Sequence, residues 1–404
     1  MTQNDAKYRW YILFLLSLTG CFVISMPQMC MPVLFKEISV DLDLSLVQLG
    51  VVWGMIPLAG LLLMLVGGML SDKFGTKKML FIGSILTGVA GMARALSTDF
   101  TTITVTMFIF GILQVITAPS MIRACGIWFS GNRLGLATGI YSMSMGFGFL
   151  MSSMISASVL SPLFGGWKGV LIAYGIVSML VGILWFFTRS KPSDAGIPEE
   201  KEAPLSAKES LLKVIRMRNL WVLSIIIMLQ MACVMGMLGY LPTYLKDIGW
   251  NPATADSTVA LFHGISTVFT VPVVLLSDKL KSRKIILFVA GVLTSVGVGI
   301  LGFNSGAGVW AAMIIAGIIR DGFMATQMAM LIEMKGLDVR YLGAAIGFVN
   351  TVSRIGEIVS PPIGGRLAEI NPQYPFLMWS GLAAVALLGF LFFKKESAVK
   401  TSQD

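Results

Sequence analysis

The feature that most constrains this chain is a recurrence. Twelve stretches of roughly twenty mostly apolar residues follow one another, separated by short polar segments. They lie near residues 10–33, 47–70, 78–97, 101–129, 134–160, 167–188, 219–245, 254–276, 284–303, 308–334, 341–366 and 375–393. A helix of about 20 residues crosses the hydrocarbon core of a bilayer. In lipid each backbone polar group must be satisfied within the protein, and a helix does this within one segment. Composition agrees: 56% of the 404 residues are hydrophobic and 13% are charged, against roughly 25% charged in soluble domains. The expected fold class is an all-α membrane protein with twelve transmembrane helices. The first run is longer than the apolar region of a signal peptide and has no A-x-A-like exit, so it reads as a span that stays in the protein.

Charge sets the expected orientation. The net charge of +9 is not gathered on one basic face, which argues against nucleic acid as a partner. Most Lys and Arg residues instead fall in the loops on the side that holds both chain ends, among them Lys73, Lys77, Lys78, Arg133, Lys279, Arg283, Lys284, Lys335 and Arg340. By the positive-inside rule both termini are expected in the cytoplasm, with the chain in the cell's inner membrane and the lipid bilayer as its surroundings. A segment rich in Pro, Ser, Glu and Lys, residues 189–218, cannot build a core and reads as a cytoplasmic linker. It ends in a basic interfacial helix around 211–218. The expected units are an amino-terminal six-helix bundle, 1–188, and a carboxyl-terminal one, 219–404, with a short cytoplasmic tail. Cys21, Cys30, Cys125 and Cys233 lie in apolar runs without metal-site or redox spacing, and read as packing residues.

The second half repeats the first. MPVLFKEI (31–38) matches LPTYLKDI (241–248), LSDKFGTKK (70–78) matches LSDKLKSRK (276–284), and RLGLATGI (133–140) matches RYLGAAIGF (340–348). The offsets are nearly constant and the in/out sense is the same, so the repeats are parallel, an arrangement that transporters use.

GGMLSDKFGTKKML (67–80) resembles the signature loop of the major facilitator superfamily, G-x-L-[AS]-D-[RK]-x-G-[RK]-[RK], and sits between the second and third spans as it does there. Thr76 departs from that pattern, and the second copy lacks the glycine. Gly356, Pro361, Pro362, Gly364 and Gly365 resemble a glycine-proline motif usually found on the fifth helix, here on the eleventh. The resemblance implies two parallel six-helix repeats that move a solute by alternating access, with no cofactor or metal and as a monomer. It implies a cytoplasmic gating motif of Gly68, Asp72, Lys73, Gly75, Lys77 and Lys78, with Arg133 as the basic partner of Asp72.

A charge near the bilayer centre costs at least about 2.5 kcal/mol, so each one needs a partner, a cavity or a role. The tenth span places Arg320 and Asp321 near mid-depth, and the eleventh places Arg354 and Glu357 there, three residues apart on one helix face. His263, the one histidine, lies at similar depth in the eighth span, and Arg123 lies nearer the cytoplasm in the fourth. Arg94 and Glu333 are near span ends and read as snorkelling. On one reading Arg354 or Arg320 grips an anionic group, Glu357 or Asp321 carries a coupling proton, and His263 is a second titrating group. On the other, these charges only neutralise one another between helices. Gln114, Asn350 and Tyr240 are further candidates to hydrogen-bond a substrate.

The expected function is proton-coupled carriage of a small organic anion such as a monocarboxylate. A gradient-driven carrier or exporter of a cationic or neutral compound is the alternative. An intramembrane enzyme or sensor is disfavoured, because HExxH, GxSxG and Walker A sequences are all missing.

Overall fold

The computed structural model describes residues 3–129, 131–189, 212–280, 282–334, 337 and 339–393, less the side chains of 3–6, Leu65, Gly68, Asp72, Asn132, Val339 and Arg340. Every regular element among them is helical. Twelve passes succeed one another: α1 (Lys7–Asp41), α2 (Leu46–Phe74), α3 (Thr76–Leu96), α4 (Phe100–Trp128), α5 (Arg133–Phe164), α6 (Trp167–Phe186), α7 (Arg218–Asp247), α8 (Pro252–Leu280), α9 (Arg283–Leu301), α10 (Gly308–Ile332), α11 (Val339–Ile370) and α12 (Tyr374–Gly389). Eleven are long and apolar enough to cross a membrane, while α12 is a shorter apolar helix of 16 residues. With twelve alternating passes the start of α1 and the end of α12 lie on one face, called here the terminal face. Most of the linker expected over 189–218 lies outside the described residues, as does the tail from residue 394.

Local chemistry starts and stops these helices. Ser45 and Gln48 form a capping box at the start of α2, and Asp99 and Thr102 form one at the start of α4. Gly75 ends α2 and opens α3 with φ 82° and ψ 152°, a conformation that favours glycine. The glycine of the gating loop is thus a backbone requirement. The Asp72 and Gly68 side chains, and with them the expected Asp72–Arg133 pair, fall outside the described residues.

Helix α1 is interrupted by a π turn, Thr19–Ser25, just before Pro27. A π turn and a proline both displace backbone carbonyls from the regular ladder, and a membrane interior must satisfy them by other means. Neighbouring helices do so. Ser178 Oγ donates to Phe22 O at 2.8 Å, Gln114 Nε2 to Ile24 O at 3.0 Å, Ser152 Oγ to Met26 O at 2.8 Å, and Arg94 Nη1 to Pro27 O at 2.9 Å. Arg94 therefore does not snorkel. It is 0% exposed, and its guanidinium lies 3.9 Å from the centre of the Phe110 ring.

Four apolar clusters form the core. Two draw their buried residues from α1–α6, and two from α7–α12 and the turn before α7, with Met29 of α1 packed among the latter. Contacts between these two groups of helices gather at mid-depth and toward the face opposite the termini. There α2 and α11 meet backbone to backbone, Gly50 against Pro361 and Pro362, Gly54 against Ile358, and Gly365 against Leu46. Small residues four apart on a helix allow this close approach. Lys36 pairs with Asp247 across the same face, and Lys246 donates to Val33 O at 2.6 Å. Lys246 Nζ also lies 2.8 Å from Asp256 Oδ1 on α8, an ion pair whose side chains are 8% and 0% exposed. On the terminal face, Arg283 joins Asp278 to Glu333, with Nη2 2.9 Å from Glu333 Oε1 and Nη1 donating to Ser277 Oγ at 2.9 Å. Glu333 is thus an exposed partner in a charge network beside the second copy of the 70–78 loop.

Candidate functional site

Where α1, α2, α5, α7, α8, α10 and α11 converge they line a cavity of about 170 Å³. Its charged walls are Arg320, Arg354 and Glu357, and His263 and Gln28 add neutral polar groups. Four of the residues nominated from depth alone therefore share one cavity. The spacing of Arg354 and Glu357 turns both to the same side of α11.

Each side chain has a distinct setting. The Arg354 guanidinium packs directly on Gly60 of α2, where any Cβ would collide with it. No hydrogen bond or ion pair joins Arg354 or Glu357 to another described residue. Arg320 differs, because it is ion-paired through Nη1 with Asp321 Oδ1. The two residues begin the second segment of α10, whose helix is broken at 318–319. A helix start exposes unpaired N–H groups and favours a carboxylate in its first turn. Here Asp321 fills that role, and its own N–H donates to Ser266 Oγ at 3.1 Å. Asp321 does not line the cavity. His263 is 2% exposed, with ring centres 5.2 Å from Phe149 and 5.3 Å from Phe262, and its Nε2 has no partner among the described residues.

The other nominated residues lie elsewhere. Gln114 is committed to the Ile24 carbonyl. Tyr240 donates to Pro372 O at 3.2 Å within an aromatic cluster of Tyr244, Phe376 and Trp379, and lines a small separate pocket nearer the face opposite the termini. Asn350 is half-buried on α11, one turn before Arg354, and is not part of the cavity wall. Arg123 is exposed on α4, and Arg133 is exposed at the start of α5. Lys73 and Lys77 lie against aromatic rings at the terminal face, Lys73 Nζ 5.5 Å from the Phe74 ring centre and Lys77 Nζ 5.9 Å from that of Phe186. Lys78 is exposed.

Sequence reasoning passed over Gln28, Trp53 and Phe149. Gln28, between two prolines of α1 (MPQMCMP), is an uncharged polar residue deep in a span, and that was its available signal. Trp53 is 1% exposed and lines both this cavity and the pocket beyond it. Its indole N–H donates to Met235 O at 3.0 Å, across the two groups of helices, and Gly239 leaves space for the ring.

Twelve helical passes around a charged central cavity define a polytopic membrane carrier of small solutes. Residues 13–340 match the sequence profile of the Major Facilitator Superfamily. The chain is 26% identical over 373 residues to the probable sulfoacetate transporter SauU of Cupriavidus necator, covering 87% of this chain and 86% of that protein. It is 23% identical over 359 residues to the nitrite extrusion protein of Bacillus subtilis, covering 89% and 87%. A solved structure of a bacterial homolog of the human lysosomal transporter Spinster, in an inward-facing and unoccupied conformation, superposes with a TM-score of 0.79 at 17% identity, over 95% of each chain. The chain belongs to the Major Facilitator Superfamily, and it is a transporter and not an enzyme.

Proposed function

We propose that this transporter carries a small organic anion together with a proton, by alternating access, in the inner membrane. The observation that carries this reading is the Arg354–Glu357 pair. Both face the cavity, three residues apart, and neither forms a hydrogen bond or ion pair to another described residue. A guanidinium stays charged at all working pH values and grips a carboxylate or sulfonate with two parallel bonds. Arg320 is already neutralised by Asp321, so Arg354 is the anchor left open. Charge balance supplies the coupling. With Glu357 ionised, the two arginines and two carboxylates sum to zero, and an added anion would leave an uncompensated charge in a low-dielectric cavity. Protonation of Glu357 removes that excess, and a bound anion favours it by offsetting the charge of Arg354. The similarity to carriers whose names specify sulfoacetate and nitrite, both anions, supports the same class.

The basic loops support a cytoplasmic terminal face. With that face inside, the α2–α11 seam and the Lys246 contacts lie on the outer face, which supports an inward-facing reading of this conformation. Uptake of labelled propanoate into proteoliposomes, with and without an inward proton gradient, tests the reading. Acid-stimulated uptake is expected in the wild type. Arg354→Gln should lose binding and uptake, whereas Glu357→Gln should retain binding and lose the acid stimulation. Gradient-independent uptake, or proton-driven efflux of organic cations in its place, refutes it.

A further inference from the structure

The cavity wall beyond its charges specifies the body of the solute. Ten of the fifteen lining residues are apolar, including Trp53, Phe149 and four methionines, Met29, Met231, Met235 and Met324. The polar atoms on offer are few, and some are already spent. Trp53 gives its one donor to Met235 O, so it presents a ring face and no hydrogen. Apart from the charged groups, only Gln28 and His263 remain to meet a neutral polar group on the solute. His263 is held between two phenyl rings, with one buried nitrogen free.

We infer that the site selects anions with a compact apolar body, short-chain alkyl or small aryl carboxylates and sulfonates, and rejects polyhydroxylated acids. The inference rests on the anion reading above. A sugar acid brings four or more hydroxyl groups into the cavity, and two neutral side chains cannot satisfy them. A hydroxyl buried without a partner weakens binding by about tenfold. Each methylene placed against the apolar wall strengthens it by about fourfold. The thioethers suit this task, since methionine is flexible and polarisable and moulds to alkyl or aryl shapes without a fixed hydrogen-bonding demand.

Titration of the purified wild-type protein by thermal shift, paired with competition against labelled 2-methylpropanoate uptake, tests the assignment. The competitors are propanoate, 2-methylpropanoate and benzoate on one side, and glycerate, gluconate and glucuronate on the other. The apolar acids are expected to bind at least about tenfold more tightly than gluconate or glucuronate. Val234→Thr, which places one hydroxyl on the wall at nearly constant volume, should narrow the gap between 2-methylpropanoate and glycerate by about threefold or more. Gluconate or glucuronate binding as tightly as propanoate overturns the inference and leaves the anion reading standing. A gap between 2-methylpropanoate and glycerate that does not narrow in Val234→Thr puts selectivity outside this wall and overturns it as well. Binding by none of the six acids overturns both readings together.

Discussion

Replacing Gly50 with alanine is expected to hold the carrier open on the face away from its termini. In the present state a Cβ at position 50 would stand 2.6 Å from Pro361 C and Pro362 N, and 2.7 Å from Pro361 O. Carbon atoms in comfortable contact sit about 3.5–4.0 Å apart, so α2 and α11 would have to separate by about 1 Å. The obstructing atoms are backbone, and no rotamer change relieves them. Gly54 and Gly365 continue the same seam, so the displacement is shared along it. Overpacking of this kind costs about 1–3 kcal/mol. Only the state in which the two helices touch bears that cost, so the balance between closed and open outer faces moves by about 5- to 150-fold. Spin labels at Val40→Cys and Ile370→Cys report the change, since both positions are exposed at that face, at 73% and 69%. The four native cysteines are buried and should stay unlabelled. Pulsed dipolar spectroscopy should show a longer-distance population rising in Gly50→Ala. A distance distribution identical to the parent's, in protein that elutes as a single folded species, refutes the argument.

Three further outcomes follow from buried charges. Arg354→Lys keeps the charge but loses the planar fork, so carboxylate affinity measured by thermal shift should fall at least about tenfold; wild-type affinity would remove Arg354 as the anchor. Arg94→Leu leaves the Pro27 carbonyl without its donor and removes the contact with Phe110, which should cost about 1–3 kcal/mol and lower the melting temperature in detergent. An unchanged melting temperature would show that another donor takes over. Lys246→Met strands the buried Asp256 carboxylate and should destabilise by about 3–5 kcal/mol, whereas Lys246→Met with Asp256→Leu should recover most of it. A double variant no better than the single one would contradict the pairing argument.

The central site was partly legible because depth is written in a membrane sequence. Counting inward from span ends placed Arg320, Arg354, Glu357 and His263 at one level, and desolvation made each of them conspicuous. Counting gives height but not direction. The pairing of Arg320 with Asp321 depends on the break in α10 at 318–319, and nothing in the local composition marks it. For Gln114 the sequence leaves a substrate contact and a helix-helix hydrogen bond equally open, and its partner in the structure is a carbonyl at the π turn of α1, a feature with no evident signature apart from the nearby Pro27. Arg94 and Lys246 lie near span ends, where a long cationic side chain ordinarily escapes to water. Each instead turns inward to a carbonyl of α1, distant in sequence, and Lys246 turns as well to the carboxylate of Asp256 at the start of the next helix. Gln28, Trp53 and Phe149 join the cavity through helix packing, which one chain's hydropathy does not encode.

The Lys246 contact has a consequence for cycling. Its ionic partner, Asp256, belongs to the same half, and across the interface the ammonium holds only the neutral Val33 carbonyl. When the halves part there, no buried cation leaves a buried anion, and water can replace the single acceptor that is lost. The clasp is therefore firm in position yet shallow in energy, so that a carrier can undo and remake it on every turnover.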